Sequence, residues 1–242
     1  LRFTQCGAVV YCIFAFTAGA LADTSNGLLL VAPPDLYAGA SAPPQELPAG
    51  ITVDDLVVEL RRAVEHGEVS DAFRLAAQIC RVDPDHAEAR RVLGYLHVGG
   101  YWCGGYAALQ LKRGLRWNSE YGWIRDQDLP RWEAGKRPWG KRWIDAREDA
   151  LRHATVAKGG TLRTDYFQVV TNHSRGAAVE LAVRLELLYQ LWRQLFGEFA
   201  ATSRELQARI DGKQPTGYRR KPFRVIYHRT RKEYQDALRR RQ

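Results

Sequence analysis

Apolar residues recur at helical spacing through residues 51–98. Val53, Leu56, Val57, Leu60 and Val64 share one face of a predicted helix. Thr52 is placed to cap it, and Asp55 three residues on completes a capping box. Gly67 is the predicted stop. Ser70 is then expected to cap a second helix that turns Phe73, Ala76, Ala77 and Cys80 inward and ends at Asp83-Pro84-Asp85. A third helix is expected from near His86, with Ala87, Ala89, Val92 and Leu93 on its apolar face. Cys80 in such a stripe reads as core rather than as a ligand.

The last third has a different rhythm. Asp165 to Val170 is short, aromatic and β-branched, which predicts a strand. Thr171-Asn172-His173-Ser174 supplies a turn with capping residues. A long amphipathic helix follows, its stripe read as Ala178, Leu181, Leu185, Leu188, Trp192 and Leu195, with Leu191 and Phe196 alongside. Glu180, Arg184, Glu186 and Arg193 fall off that stripe. A polar helical link over Ser203 to Ile210 leads to a turn at Gln214-Pro215-Thr216-Gly217. Phe223 to Tyr227 is a second predicted strand, and Thr230 to Glu233 a capping box for a last helix. Strand, helix, strand, helix makes one βαβ crossover and its next helix. Two strands are not a stable sheet, so the unit reads as incomplete.

Between these stretches lie six of the seven tryptophans. Trp102, Trp123 and Trp143 are spaced 21 and 20 apart, each just after a glycine, and Gly114 and Gly135 recur 21 apart between them. Three units of a short strand and a helical turn are expected, with tryptophan stacking on tryptophan. The regular tryptophans read as the core of units too small to be built from leucine alone. Trp117, Trp132 and Trp139 fall off the period and are the candidates for a surface role, stacking on sugar rings or cationic ligands.

The N-terminus reads as an address. Arg2, an apolar run from Gly7 to Ala18 and the small-x-small site Ala20-Leu21-Ala22 follow the order of a secretory signal peptide. An uncleaved N-terminal anchor is the competing reading, although roughly 12–16 apolar residues are short for a bilayer. Residues 23–50 carry Pro33-Pro34, Pro43-Pro44 and Pro48 and read as a linker. The expected location is exported: periplasm, envelope or outside the cell. Cys6 and Cys12 would leave with the leader. Cys80 and Cys103 would then share an oxidising compartment, and their spacing does not decide whether they pair.

Composition narrows the classes. With 45 % hydrophobic and 26 % charged residues, the 242-residue chain is neither disordered, collagen-like nor a disulfide scaffold. The net charge of +9 is concentrated: from Lys213 onward eleven Lys or Arg face only Glu233 and Asp236, while the remainder balances at 25 and 25. Such a tail suits phosphates, nucleic acid or an anionic surface, but reads first as a solvated strand–helix segment. No nucleic-acid module signature accompanies it, and no nucleic-acid partner is expected. No methionine occurs, position 1 included, as expected either of a piece of a longer protein or of a start from an unusual codon.

Two resemblances follow. Ala72, Leu75, Asp83-Pro84, Ala89-Arg90 and Leu93-Gly94-Tyr95 resemble a tetratricopeptide helix hairpin. Residues 161–242 resemble the entry segment of secreted bacterial zinc peptidases of the gluzincin, peptidase-MA-like type. The residues that carry this are Tyr166–Asn172, Leu181–Phe196, Phe223–Tyr227 and Glu233-Tyr234. The resemblance implies a zinc peptidase, yet His-Glu-x-x-His is missing. The six histidines hold no pair four apart. No catalytic or metal residue can be assigned and no cofactor is expected in this chain; zinc enters only if a catalytic domain follows. His173 and His228, each just past a predicted strand, are the remaining binding candidates. No phosphate loop, nucleophile elbow or Cys-x-x-Cys is present.

The expected class is α+β: a helical hairpin, small Trp/Gly repeats, then an incomplete βαβα unit. The segments are a leader (1–22), a linker (23–50), a tetratricopeptide-like part (51–98), a Trp/Gly part (99–150) and an α/β entry unit (161–242). The expected role is a non-catalytic accessory or targeting region of an exported zinc-peptidase-like protein. The alternative is an envelope module contacting glycan or peptide through tryptophan. No stable transmembrane segment is expected.

Overall fold

A computed structural model describes residues 50–213 and 221–240. The leader, all but the last residue of the linker, and the turn expected at 214–217 lie outside the described residues.

In chain order, α1 (Val53–His66), α2 (Val69–Val82) and α3 (Ala87–Val92) open the fold. Strands β1 (Leu96–Val98) and β2 (Tyr101–Cys103) precede α4 (Gly105–Lys112), and β3 (Arg116–Asn118) and β4 (Gly122–Ile124) precede α5 (Leu129–Glu133). Strands β5 (Lys136–Trp139) and β6 (Arg142–Asp145) precede α6 (Ala146–Arg152). Then come β7 (Gly160–Arg163), β8 (Phe167–Thr171), α7 (Arg175–Leu195), α8 (Gly197–Ala200), α9 (Ser203–Ile210), β9 (Phe223–Tyr227) and α10 (Arg231–Arg239). The class is mixed α+β, as expected.

The chain divides into two compact units. One holds residues 112–185 and 221–240, the other residues 50–111 and 186–213.

In the second unit the first helices form as predicted. Thr52 and Asp55 close the capping box of α1, and Gly67 ends it in the left-handed conformation at φ 80°. His86 caps α3 by accepting from Ala89 N. Ser70 is a correction: α2 starts two residues earlier, at Val69 after Glu68, and Ser70 Oγ instead donates to Glu198 Oε2 at 2.9 Å. The core joins Leu60, Val64, Phe73, Ala76 and Ile79 to Trp102, Ala200 and Leu206. Each fully buried large side chain here is worth about 1.5–3 kcal/mol of transfer free energy. Cys80 and Cys103 are both buried free thiols. Burial pushes the Cys80 thiol up to about 12.

The Trp/Gly repeat is a hairpin followed by a helix, three times over, and not a single strand with a turn. The pairs β1–β2, β3–β4 and β5–β6 are each antiparallel. Gly94, Gly114 and Gly135 all have φ between 73° and 86°, a region that an L side chain rarely enters. Each sits just after a helix (α3, α4 and α5) and just before the first strand of its hairpin. The register sets Trp117 opposite Trp123, so Trp117 belongs to the repeat after all.

In the first unit β8 and β9 are parallel, register Thr171 to Tyr227, with the long α7 in the crossover. The expected βαβ is therefore present. It carries an unforeseen third strand: β7 pairs antiparallel with β8, giving the order β7-β8-β9. Leu162, Val169 and Val225 from the sheet pack on Ala178, Val179, Ala182 and Leu185 from the helix.

The stripe of α7 is rotated from the expected one. Leu188 and Leu195 are exposed (39 % and 52 %), while Glu186, Gln190, Arg193 and Gln194 are buried. Partners make this tolerable. Gln190 Nε2 donates to Tyr95 Oη at 2.8 Å, and Arg193 Nη1 donates to the Leu93 carbonyl at 2.8 Å. The Arg193 guanidinium also lies 5.0 Å from the centre of the Phe73 ring.

Candidate functional site at the end of the parallel strands

Parallel strands direct their C-terminal ends toward the loops that enter the following helices, which is where α/β proteins place ligands. Here those ends are Thr171 on β8 and Tyr227 on β9, so Asn172-His173 and His228-Arg229 emerge side by side. Sequence reading had brought His173 and His228 to this edge, and both are there.

Asn172 is the centre of the cluster and is buried at 3 % exposure. Its Nδ2 donates to Glu233 Oε2 at 2.9 Å and to the Ala154 carbonyl at 3.2 Å. Its Oδ1 accepts from Arg229 N at 2.9 Å, and its backbone carbonyl accepts from Arg229 Nη2 at 2.8 Å and Nε at 3.1 Å. Thr171 Oγ1 donates to the Tyr227 carbonyl at 2.6 Å and accepts from His173 N at 2.9 Å. The Asn172 amide holds the Glu233 carboxyl below its usual range.

The two histidines are not brought onto one centre. His173 stacks on Tyr227, ring centres 5.5 Å apart and planes within 5°, and its Nδ1 accepts from Ser174 N at 2.7 Å. His228 meets Tyr234 edge-on at 6.1 Å. Burial pushes His228 below 6.5, with the charge of Arg240 in the same direction and that of Glu233 opposed. Among the described residues no group of three or more His, Cys, Asp or Glu is placed to hold a metal ion. Every polar side chain that converges on Asn172 is bonded to another member of the cluster. The bonds among Asn172, Arg229 and Glu233 clasp two strand ends together, and Ser174 Oγ lies 3.2 Å from His173 Nδ1 beside them.

From the sequence Thr171 and Asn172 were read only as part of a capping turn, and Arg229 was not a site candidate. A usable signal was there: capping residues directly after a strand that enters a helix.

The tryptophan candidates separate. Trp132 is a correction, being buried at 8 % exposure against Tyr121 and Ile124, with Arg137 4.8 Å from its ring centre. Trp117 is half-buried and edge-on to Trp123 at 5.4 Å. Trp139 alone of the three is exposed, at 38 %, with the Arg152 guanidinium 4.4 Å over its ring.

Among the described residues no helix is long and apolar enough to cross a membrane. Compared with protein-family models, with curated proteins and with solved structures, the chain matches none of them.

Proposed function

We propose that this chain is a non-catalytic accessory or targeting region of an exported zinc-peptidase-like protein. One observation carries the reading. At the strand ends, where an α/β enzyme would hold its reacting groups, Asn172, Arg229 and Glu233 are spent on one another. The parallel β8–β9 pair with its helical crossover supports the α/β part of the resemblance. The outer edge of β9 has no partner strand among the described residues, so it can accept a further one.

The coding sequence beyond Gln242 tests this. A downstream His-Glu-x-x-His in the same frame is the expected result. A stop codon directly after Gln242, or zinc-dependent peptide hydrolysis by the purified chain itself, overturns it.

A second reading keeps support from Trp139: an envelope-binding module, with that exposed ring and its neighbouring arginines as the contact.

A further inference from the structure

Charge is divided unequally between the two compact units. Residues 112–185 and 221–240 carry 22 Lys or Arg against 11 Asp or Glu, a net +11. Residues 50–111 and 186–213 carry 10 against 13, a net −3. The third repeat, β5 to α6, contributes a net +3 of that excess within 17 residues. Its carboxylates are already engaged: Asp145 with Lys136 at 2.7 Å, Glu148 with Arg152 at 2.6 Å, Asp149 with His153 at 3.3 Å. Among the described residues no carboxylate pairs with Lys141, Arg142 or Arg147, and all three are exposed.

The hairpin register sets Arg142 directly across from Trp139, and paired residues share a face. Lys141 occupies the two-residue turn between them. An exposed indole ring is thus bordered by cations that no carboxylate among the described residues pairs with.

We infer that this hairpin and the start of α6 bind an acidic polysaccharide. A sugar ring offers C–H groups to an aromatic face, and anionic groups repeated along the polymer meet successive cations. Nucleic acid fits less well. Stacked bases need a series of free aromatic faces, and here Trp117 packs on Trp123 and Trp132 on Trp143, leaving Trp139, with Arg152 over one face of its ring, as a single exposed indole among the described residues. The inference takes from the proposed function only its exported address.

The test is binding of heparin oligosaccharides to the full chain, followed by calorimetry at about 50 and 200 mM salt, a range over which polyanion affinity falls steeply. The triple variant Lys141→Gln, Arg142→Gln, Arg147→Gln should lose roughly tenfold or more in affinity. Its slope of log K against log salt should shrink by about 2–3. A charge-matched control, Lys112→Gln, Arg113→Gln, Lys158→Gln, alters exposed cations elsewhere in the same unit and should bind within about twofold of the parent. Four outcomes overturn the inference: no heparin binding by the parent, parent-like binding by the first triple, an equal loss in the control, or tighter binding of duplex DNA than of heparin at equal salt. None of them bears on a downstream zinc motif or on peptide hydrolysis, so the two readings fail separately.

Discussion

The amide of Asn172 and the carboxylate of Glu233 lie 61 positions apart in the chain and 2.9 Å apart in space. That bond, with those to Arg229 and Ala154, fastens the end of β8 to the loop after β9, to the start of α10 and to the segment after α6. Asn172→Ala removes a buried amide and leaves Arg229 N without its acceptor. It should cost about 2–3 kcal/mol. Asn172→Asp sets a carboxylate against Glu233 and should cost at least as much. Glu233→Gln retains an acceptor oxygen and should cost under about 1 kcal/mol. Hydrogen exchange at the Val169 and Val225 amides, read in all three variants, checks the order.

The same cluster makes the first unit acid-sensitive in two steps. Burial lowers the His228 pKa from 6.5, so the unfolded chain binds the extra proton more readily. Stability from this group is complete above 6.5 and is lost as pH falls below it toward the folded value. Glu233 is lowered from 4.5 by the Asn172 hydrogen bond, and its contribution is lost only below 4.5. His228→Gln should abolish the upper step and leave the lower one. Denaturation midpoints from pH 8 down to about pH 2 measure both, and NMR titration of the imidazole should give His228 a pKa below 6.5.

Local rules were legible in the sequence, and the misses share one cause. Thr52, Gly67 and Thr230 act where capping chemistry places them. The parallel strand pair also follows from short β-branched runs flanking a long helix. The buried face of α7 did not, because Glu186, Gln190, Arg193 and Gln194 read as surface until their tertiary partners are known. Hydropathy alone assigns such residues to water, whereas Tyr95 and the Leu93 carbonyl hold two of them inside. The first strand of each Trp/Gly hairpin was missed for a related reason. Arg116-Trp117-Asn118 and Lys136-Arg137-Pro138 are too polar or too proline-bound to read as strands. They pair because left-handed Gly114 and Gly135 turn the chain back from the preceding helix. In the candidate site the histidines were visible as residues beyond strand ends, but Asn172 was not, since its role depends on groups 18 and 61 positions away.

The tryptophans offer a sharp contrast. Trp132 is buried with Tyr121 at 5.2 Å and Trp143 edge-on at 6.4 Å, whereas Trp139 is partly in water. Trp132→Ala should cost about 3–5 kcal/mol through a cavity among aromatic neighbours. Trp139→Ala should cost under about 1 kcal/mol. Acrylamide quenching should lose its accessible component in the Trp139→Phe protein and keep it in Trp132→Phe. Similar denaturation midpoints for the two alanine variants would contradict this assignment.

Cys80 and Cys103 are buried free thiols, and Cys80 ionises only near about 12. A chain with Cys6 and Cys12 changed to serine should therefore resist a thiolate-directed reagent at pH 8 while folded. It should give two equivalents on unfolding. Fewer than two would reveal oxidation of the pair.

Ser70 and Gly197 set the tolerance of the second unit. Gly197 N donates to Ser70 Oγ at 2.9 Å, and Ser70 Oγ donates in turn to Glu198. Glu198 also accepts from Ser70 N at 3.3 Å, so a carboxylate from 128 positions away stands at the start of α2, where the helix dipole favours negative charge. The backbones approach closely enough that a Cβ on Gly197 would lie 2.7 Å from Ser70 N and 2.8 Å from Ser70 Cα. Those are main-chain atoms and cannot swing aside. Gly197→Ala should therefore cost about 2–3 kcal/mol by overpacking, more than the roughly 1 kcal/mol expected of Ser70→Ala, which deletes hydrogen bonds at an exposed rim. The double variant should lose less than the sum, since the backbone shift forced by the alanine already strains the Gly197 N–Ser70 Oγ hydrogen bond that Ser70→Ala deletes. Additive losses in a denaturant series would place the alanine's strain elsewhere than against Ser70.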